Sequence, residues 1–264
     1  MQGAGGLSER YDDRRGAFLE EGVAREFGAA FPAAWIYRGS MWRDPATGVQ
    51  YENDLLVQLD THLIIVEAKA GRVTAPARRG AEKRLEHTVA ELVVKPSEQA
   101  RRFADYLHAR PGRHTFATKS GRPNKVDTTE LPEILAVSVT LELLGTLASR
   151  WPAVRDAGFL AAGVELAPTM SLADLQIAFE LLDSTCEKMH YLSRRASFEA
   201  HAEYIGDELD LLAFYLATGF NIGEAEFNGS FLPLYGMSRT LDPYFMRRWQ
   251  GEDVAKPRRR LTTW

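Results

Sequence analysis

The stretch Glu52–Gly71, ENDLLVQLDTHLIIVEAKAG, decides how the rest of the chain is read. Leu55, Val57 and Leu59 alternate along a first arm, and Leu63 to Val66 form an apolar run in a second. Asp60, Thr61 and His62 supply the turn, so the segment predicts a β-hairpin. Three charges interrupt it: Asp54, Glu67 and Lys69. A two-residue turn at Thr61-His62 sets Asp54 opposite Lys69, and one at Asp60-Thr61 sets it opposite Glu67. Side chains alternate with period two, so either register keeps all three charges on one face, beside Leu56, Gln58, Leu63 and Ile65. The other face carries Leu55, Val57, Leu59, Ile64, Val66, Ala68 and Ala70.

One side of the hairpin is therefore core. The other is apolar near the turn and bears two acids and a base at its open end. Unpaired charges on a buried sheet cost several kcal/mol or shift their pKa values. Two adjacent carboxylates also repel unless a cation lies between them. The competing reading is a surface hairpin with an Asp54–Lys69 or Glu67–Lys69 ion pair, which leaves the apolar character of both faces unexplained.

This pattern resembles the PD-(D/E)xK phosphodiesterase superfamily, the restriction-endonuclease-like nucleases. Their signature is an acid that begins one strand and (D/E)-x-K that ends the next. Asp54 matches the first acid and Glu67-Ala68-Lys69 the second half, with the acids thirteen positions apart. Asn53 stands where the motif has proline, a position that varies widely in such nucleases. The resemblance implies an α/β fold: a restriction-endonuclease-like core with a central mixed β-sheet flanked by helices, plus a C-terminal helical region. It implies Mg²⁺, with Mn²⁺ as a substitute, held by Asp54, Glu67 and the backbone carbonyl of Ala68. Lys69 would position or activate the attacking water. The implied activity is metal-dependent hydrolysis of DNA, ahead of RNA, in phage defence, restriction or repair. The partners it allows are a second copy or a larger defence or repair complex. The alternative is a catalytically inactive nuclease-like domain that binds nucleic acid or protein, against which the presence of all three core residues argues.

The flanks supply further candidates. Residues 13–29 predict an amphipathic helix with Phe18, Val23 and Phe27 on one side, closed by Gly28, after a disordered lead over 1–12. In the resembled superfamily a glutamate on a first helix often reaches the metal site, and Glu20 is the match here. Residues 33–38, AAWIYR, predict a strand. After the hairpin, Arg72, Arg78, Arg79, Lys83 and Arg84 stand against Glu82 alone. With Arg101 and Arg102 they form a candidate contact to a nucleic-acid backbone, and a solvated loop and helix is the competing reading. Pro96 opens a helix to about Arg110 with an Ala100, Phe103, Ala104, Leu107 stripe. Superfamily members place a Gln, Lys or Tyr on this helix facing the site, and Gln99 matches that placement.

Further on, the sequence predicts an edge strand near 114–118, a buried strand over 133–141, a helix from 142 to Pro152, and a last strand within 158–167. Helices follow from a Ser171/Asp174 capping box, from Cys186, and from Asp207-Glu208-Leu209-Asp210 to Gly219. The acids of the last read as caps rather than a metal cluster. Cys186 and His190 read as packing residues. The expected domains are a core over 1–168 and a helical region over 169–264.

Composition narrows the class. The 264 residues are 45% hydrophobic and 26% charged, ordinary for a globular chain. One cysteine excludes an internal disulfide or a multi-cysteine zinc site. The polar start and the lack of a long apolar run predict a cytoplasmic protein without a membrane span. A net charge of −4 argues against a general polyanion binder and leaves room for a local basic groove.

Overall fold

The computed structural model describes residues 3–130, 133–145, 151–161 and 163–260, with side chains from residue 9 on except at 152 and 153. The chain divides into two compact units: Met1–Glu142 with Gly163–Leu172, and Leu143–Ala162 with Ala173–Trp264. Residues 143–162, which lie inside the expected 1–168 core, thus group with the second unit.

The first unit runs α1 (Gly3–Ala30), β1 (Trp35–Arg43), β2 (Gln50–Leu59), β3 (His62–Lys69), α2 (Ala75–Arg78), α3 (Glu82–Val89), α4 (Lys95–His108), β4 (Arg113–Phe116), β5 (Asn124–Asp127), β6 (Glu133–Thr140) and β7 (Thr169–Ser171). Five strands form one mixed sheet in the order β1-β2-β3-β6-β7. The first three are antiparallel neighbours, while β3, β6 and β7 run parallel. This is an α/β architecture with a central mixed sheet flanked by helices. Parallel neighbours need a long crossover, and residues 70–132 provide one between β3 and β6.

Leu59 pairs with His62, so the turn is Asp60-Thr61, with Asp60 at φ 48°. That register brings Asp54 level with Glu67. Leu56, Leu63 and Ile65 pack with Ala100, Phe103 and Leu107 of α4 and with Phe116 and Val126 of the β4–β5 hairpin. The opposite row, Leu55, Val57, Ile64 and Val66, is equally buried. Helix α1 contacts β1, β2 and β3, and its buried Leu19, Val23 and Phe27 cover that face. Burial on both sides removes the surface-hairpin reading.

Several expectations need correction. Helix α1 starts at Gly3 rather than 13 and passes through Gly28 to Ala30. Its early turns are tied down: Arg15 donates to the Ala70 carbonyl and pairs with Glu142, while Asp12 pairs with Arg72. Such contacts outweigh the cost of glycine in a helix, about 1 kcal/mol each. Pro96 does not open a fresh helix. A π turn over Ala90–Val94 joins α3 to α4, with the Lys95 N–H donating to the Ala90 carbonyl. Widening the helix there accommodates a proline that has no N–H to give. The last strand is β7 at Thr169–Ser171, not within 158–167. Of the helix expected over 142–152, residues 146–150 lie outside the described ones, and the described turns are α5 (Trp151–Asp156).

The second unit continues with α6 (Leu172–Leu181), α7 (Thr185–His201), β8 (Glu203–Ile205), α8 (Glu208–Thr218), β9 (Phe231–Pro233) and α9 (Asp242–Trp249). Asp207 and Asp210 form a reciprocal capping box on α8, and Gly219 ends it at φ 66°. Cys186 is exposed rather than packed, whereas His190 bonds the Tyr215 hydroxyl at 2.9 Å. Of the basic tail, residues 261–264 lie outside the described ones; Lys256 pairs with Asp183. Among the described residues no helix is long and apolar enough to cross a membrane.

Candidate active site

The site begins where the hairpin opens. Pairing of β2 with β3 stops at Leu55–Val66. Beyond it, β3 continues beside β6 to Lys69–Thr140, and β2 continues beside β1 to Gln50–Arg43. The strands part like a fork at Asp54 and Glu67. Gly39 of β1 stands at the level of Asp54, between the Arg38–Leu55 and Ser40–Asn53 pairs, at φ 60°. Glycine takes that left-handed conformation without steric strain, and the register is the same on either side of it.

In the fork, side chains replace the missing ladder. The Ala68 N–H donates to Asp54 Oδ2 at 2.7 Å. Lys69 Nζ lies 3.3 Å from Asp54 Oδ2 and 3.2 Å from Glu67 Oε2. Asn53 Nδ2 donates to Glu67 Oε1 at 2.9 Å. Asp54, Glu67 and Lys69 therefore converge, as period-two parity requires. Glu67 is 1% exposed, whereas the Asp54 and Lys69 side chains keep 18% and 25% of their surface.

This crowding shows in the electrostatics. Burial, and then the charge of Asp54, push the Glu67 carboxyl up to about 8, although Lys69 and Asn53 pull the other way. For Lys69, burial is the largest influence and favours the neutral amine. Asp54 and Glu67 together outweigh it and hold its pKa above the ordinary lysine value. The cluster thus sets a cationic lysine against a Glu67 carboxyl that holds its proton to a higher pH than an ordinary glutamate.

Glu20 belongs to the same electrostatic neighbourhood. Its surface is exposed, yet the protein around its carboxyl still costs it hydration, and its pKa is raised by that burial, by Asp54 and by Glu52. Gln99 projects a buried Oε1 that has no partner. Among the described residues, the buried side-chain polar atoms without a partner are this one, Asn53 Oδ1 and Ser138 Oγ. Asn53 bonds Glu67, and Ser138 sits beside Glu67 in the sheet. The orphan atoms of Asn53 and Ser138, both beside Glu67, are polar groups that a hydrated cation would satisfy. Nothing in the sequence singled out Ser138, and Asn53 stood only as the residue in the proline's place.

Among the described residues no three His, Cys, Asp or Glu side chains come together to hold a metal ion. A hard divalent cation here would rest on Asp54 and Glu67 and complete its shell from backbone oxygen and water, as Mg²⁺ commonly does. The donor set fits such an ion; softer metals would want histidine or cysteine.

The predicted basic surface divides in two. Arg72 is engaged by Asp12 and lies over the Tyr11 ring, and Arg78 is engaged by Glu142. Arg102 stacks over Tyr51. Arg79, Lys83, Arg84 and Arg101 are exposed.

Comparison with protein-family models, curated proteins and solved structures returned no match.

Proposed function

We propose that this chain is a divalent-metal-dependent phosphodiesterase of the PD-(D/E)xK type, acting on DNA. The observation that carries the reading is the meeting of Asp54, Glu67 and Lys69 in a fork where the strand ladder has opened. Asp54 and Glu67, with the Ala68 carbonyl, would hold Mg²⁺. Bound there, the ion would supply Lewis acidity to the scissile phosphate and lower the pKa of a water. Glu67 must give up its proton to serve, so cation uptake is coupled to proton release. Lys69 stays an ammonium and acts as a donor: it orients the water and stabilises charge on the phosphate oxygens. Asn53 fixes the Glu67 carboxyl from the other side. Glu20 adds a further negative charge near Asp54 that favours a cation.

A second reading rests on one observation. Lys69 already bridges both acids, an internal counter-charge that needs no metal. On that reading the fold binds nucleic acid without cutting it.

Nicking of supercoiled plasmid DNA with Mg²⁺ separates the two. The wild type converts plasmid to open circle, and Asp54→Asn and Lys69→Ala each lose about a hundredfold to a thousandfold while keeping the native circular dichroism spectrum. Nicking unchanged in these variants contradicts the proposal. DNA binding without nicking by the wild type establishes the second reading.

A further inference from the structure

A cleft of about 860 Å³ runs along the outer edge of β1, between Trp35–Arg38 and the loop that joins β4 to β5. It is distinct from the fork and from the basic cluster after β3. Trp35 lies on its wall and is 70% exposed. Tyr37 stands two residues on, on the same face of the strand. Arg38, Arg122 and Lys125 also line the cleft, and among the described residues no acidic one does. That bias is notable on a chain of net charge −4. Arg38 is paired with Glu21, whereas Arg122 and Lys125 are exposed.

The walls are held in place. Asn124 Nδ2 donates to the Arg38 carbonyl and to Ser40 Oγ, both at 2.9 Å. Within the loop, Thr118 Oγ1 donates to the Arg122 carbonyl at 2.7 Å. The Met41–Ala117 bridge pins the hairpin further along β1. These contacts leave only the short run Trp35–Tyr37 open on that edge, which disfavours addition of a peptide strand. An exposed indole beside two uncommitted cations is instead the chemistry that receives an unpaired nucleic-acid strand, with bases stacked and phosphates paired.

We propose that this cleft takes one single strand of nucleic acid, a base stacked on Trp35 and the phosphates against Arg122 and Lys125. The row Trp35, Tyr37, Gly39 then runs along β1 to the level of Asp54, about 13 Å from Trp35 at the usual strand rise. That the strand is led to Asp54 for cleavage rests on the phosphodiesterase reading; the binding does not.

The test is fluorescence anisotropy of a labelled oligothymidylate with the full chain in EDTA. The wild type binds, and Trp35→Ala weakens binding about tenfold. Arg122→Gln/Lys125→Gln lowers the slope of log affinity against log salt by about 1.4. Trp35 is exposed, so its replacement leaves the core intact, and Trp35→Phe retains most of the affinity. Absence of oligonucleotide binding by the wild type, equal binding by Trp35→Ala, or equal competition by duplex overturns the proposal. With Mg²⁺ added, a strand bound through Trp35 while neither it nor supercoiled plasmid is cut sinks the phosphodiesterase reading and spares the cleft. Cutting with Trp35→Ala binding unaltered does the reverse.

Discussion

Two clusters of buried charge in this molecule differ in how completely they are satisfied. In the second unit, Arg195 is sealed from solvent and its guanidinium is shared between two acids. Nε and Nη2 reach Glu208 Oε2 at 3.1 and 3.0 Å, and Nη1 donates to Glu199. Tyr191 donates to Glu208, and Trp151 Nε1 donates to Glu199 at 2.6 Å. Burial raises the pKa of Tyr191 and of Tyr204 well above the ordinary value, so both hydroxyls keep their protons. In the fork of the first unit, one lysine faces two acids, a carboxyl is pushed up to about 8, and polar atoms around it go unpartnered. The guanidinium presents five donors in a planar fork that meets several acid oxygens at once, whereas the lysine ammonium has three donors on one nitrogen. On the function proposed above, the complete pairing is structural and the incomplete pairing is where a cation would enter.

The largest effect that would break this comparison lies in the sealed cluster. Arg195→Met leaves Glu199 and Glu208 buried without their cation and costs about 3–5 kcal/mol. Urea unfolding measures it, and a loss below about 1 kcal/mol means that the cluster relaxes as freely as a surface pair.

An effect of similar size, spread over several pH units, sharpens the contrast at the fork. Burial pushes the Glu67 carboxyl up to about 8 in the folded state, above the ordinary glutamate value of 4.5. The folded state therefore holds an extra proton between those values. The stabilisation is full below pH 4.5 and is lost as pH rises towards 8, with a slope approaching about 1.4 kcal/mol per pH unit. Stability measured against pH falls across that window in the wild type and stays nearly flat in Glu67→Gln. Saturating Mg²⁺ reduces the fall, because a cation beside the carboxyl favours its ionised form. Identical profiles for wild type and Glu67→Gln would remove Glu67 from the account.

The hairpin and its three charges were legible because parity survives any choice of turn. The register was not, since both turns are available to Asp60-Thr61-His62 and only the backbone at Asp60 selects one. Charge counting found Arg72 and Arg78 but could not see that Asp12 and Glu142, distant in sequence, would occupy them. For the same reason the lead over 1–12 read as disordered, although α1 starts at Gly3 and Arg72, after β3, holds its Asp12. The three-residue β7 carries too little pattern to be placed, and the apolar run before it drew the expectation to 158–167. AAWIYR read as a strand, but nothing local told that β1 would be the edge of the sheet and leave the Trp35 indole outside. Arg195 and Glu199 stand at the i, i+4 spacing of a helix surface pair, and nothing local told that Glu208 would close over them.

The central claim is that the fork is built to receive a divalent cation between Asp54 and Glu67. Titration of Mn²⁺ followed by electron paramagnetic resonance tests it without reference to any activity. The account predicts a bound Mn²⁺ signal in the wild type that rises with pH as Glu67 gives up its proton, and its loss in both Asp54→Ala and Glu67→Gln. Mn²⁺ uptake that is absent from the wild type, or unchanged in both variants, would contradict it.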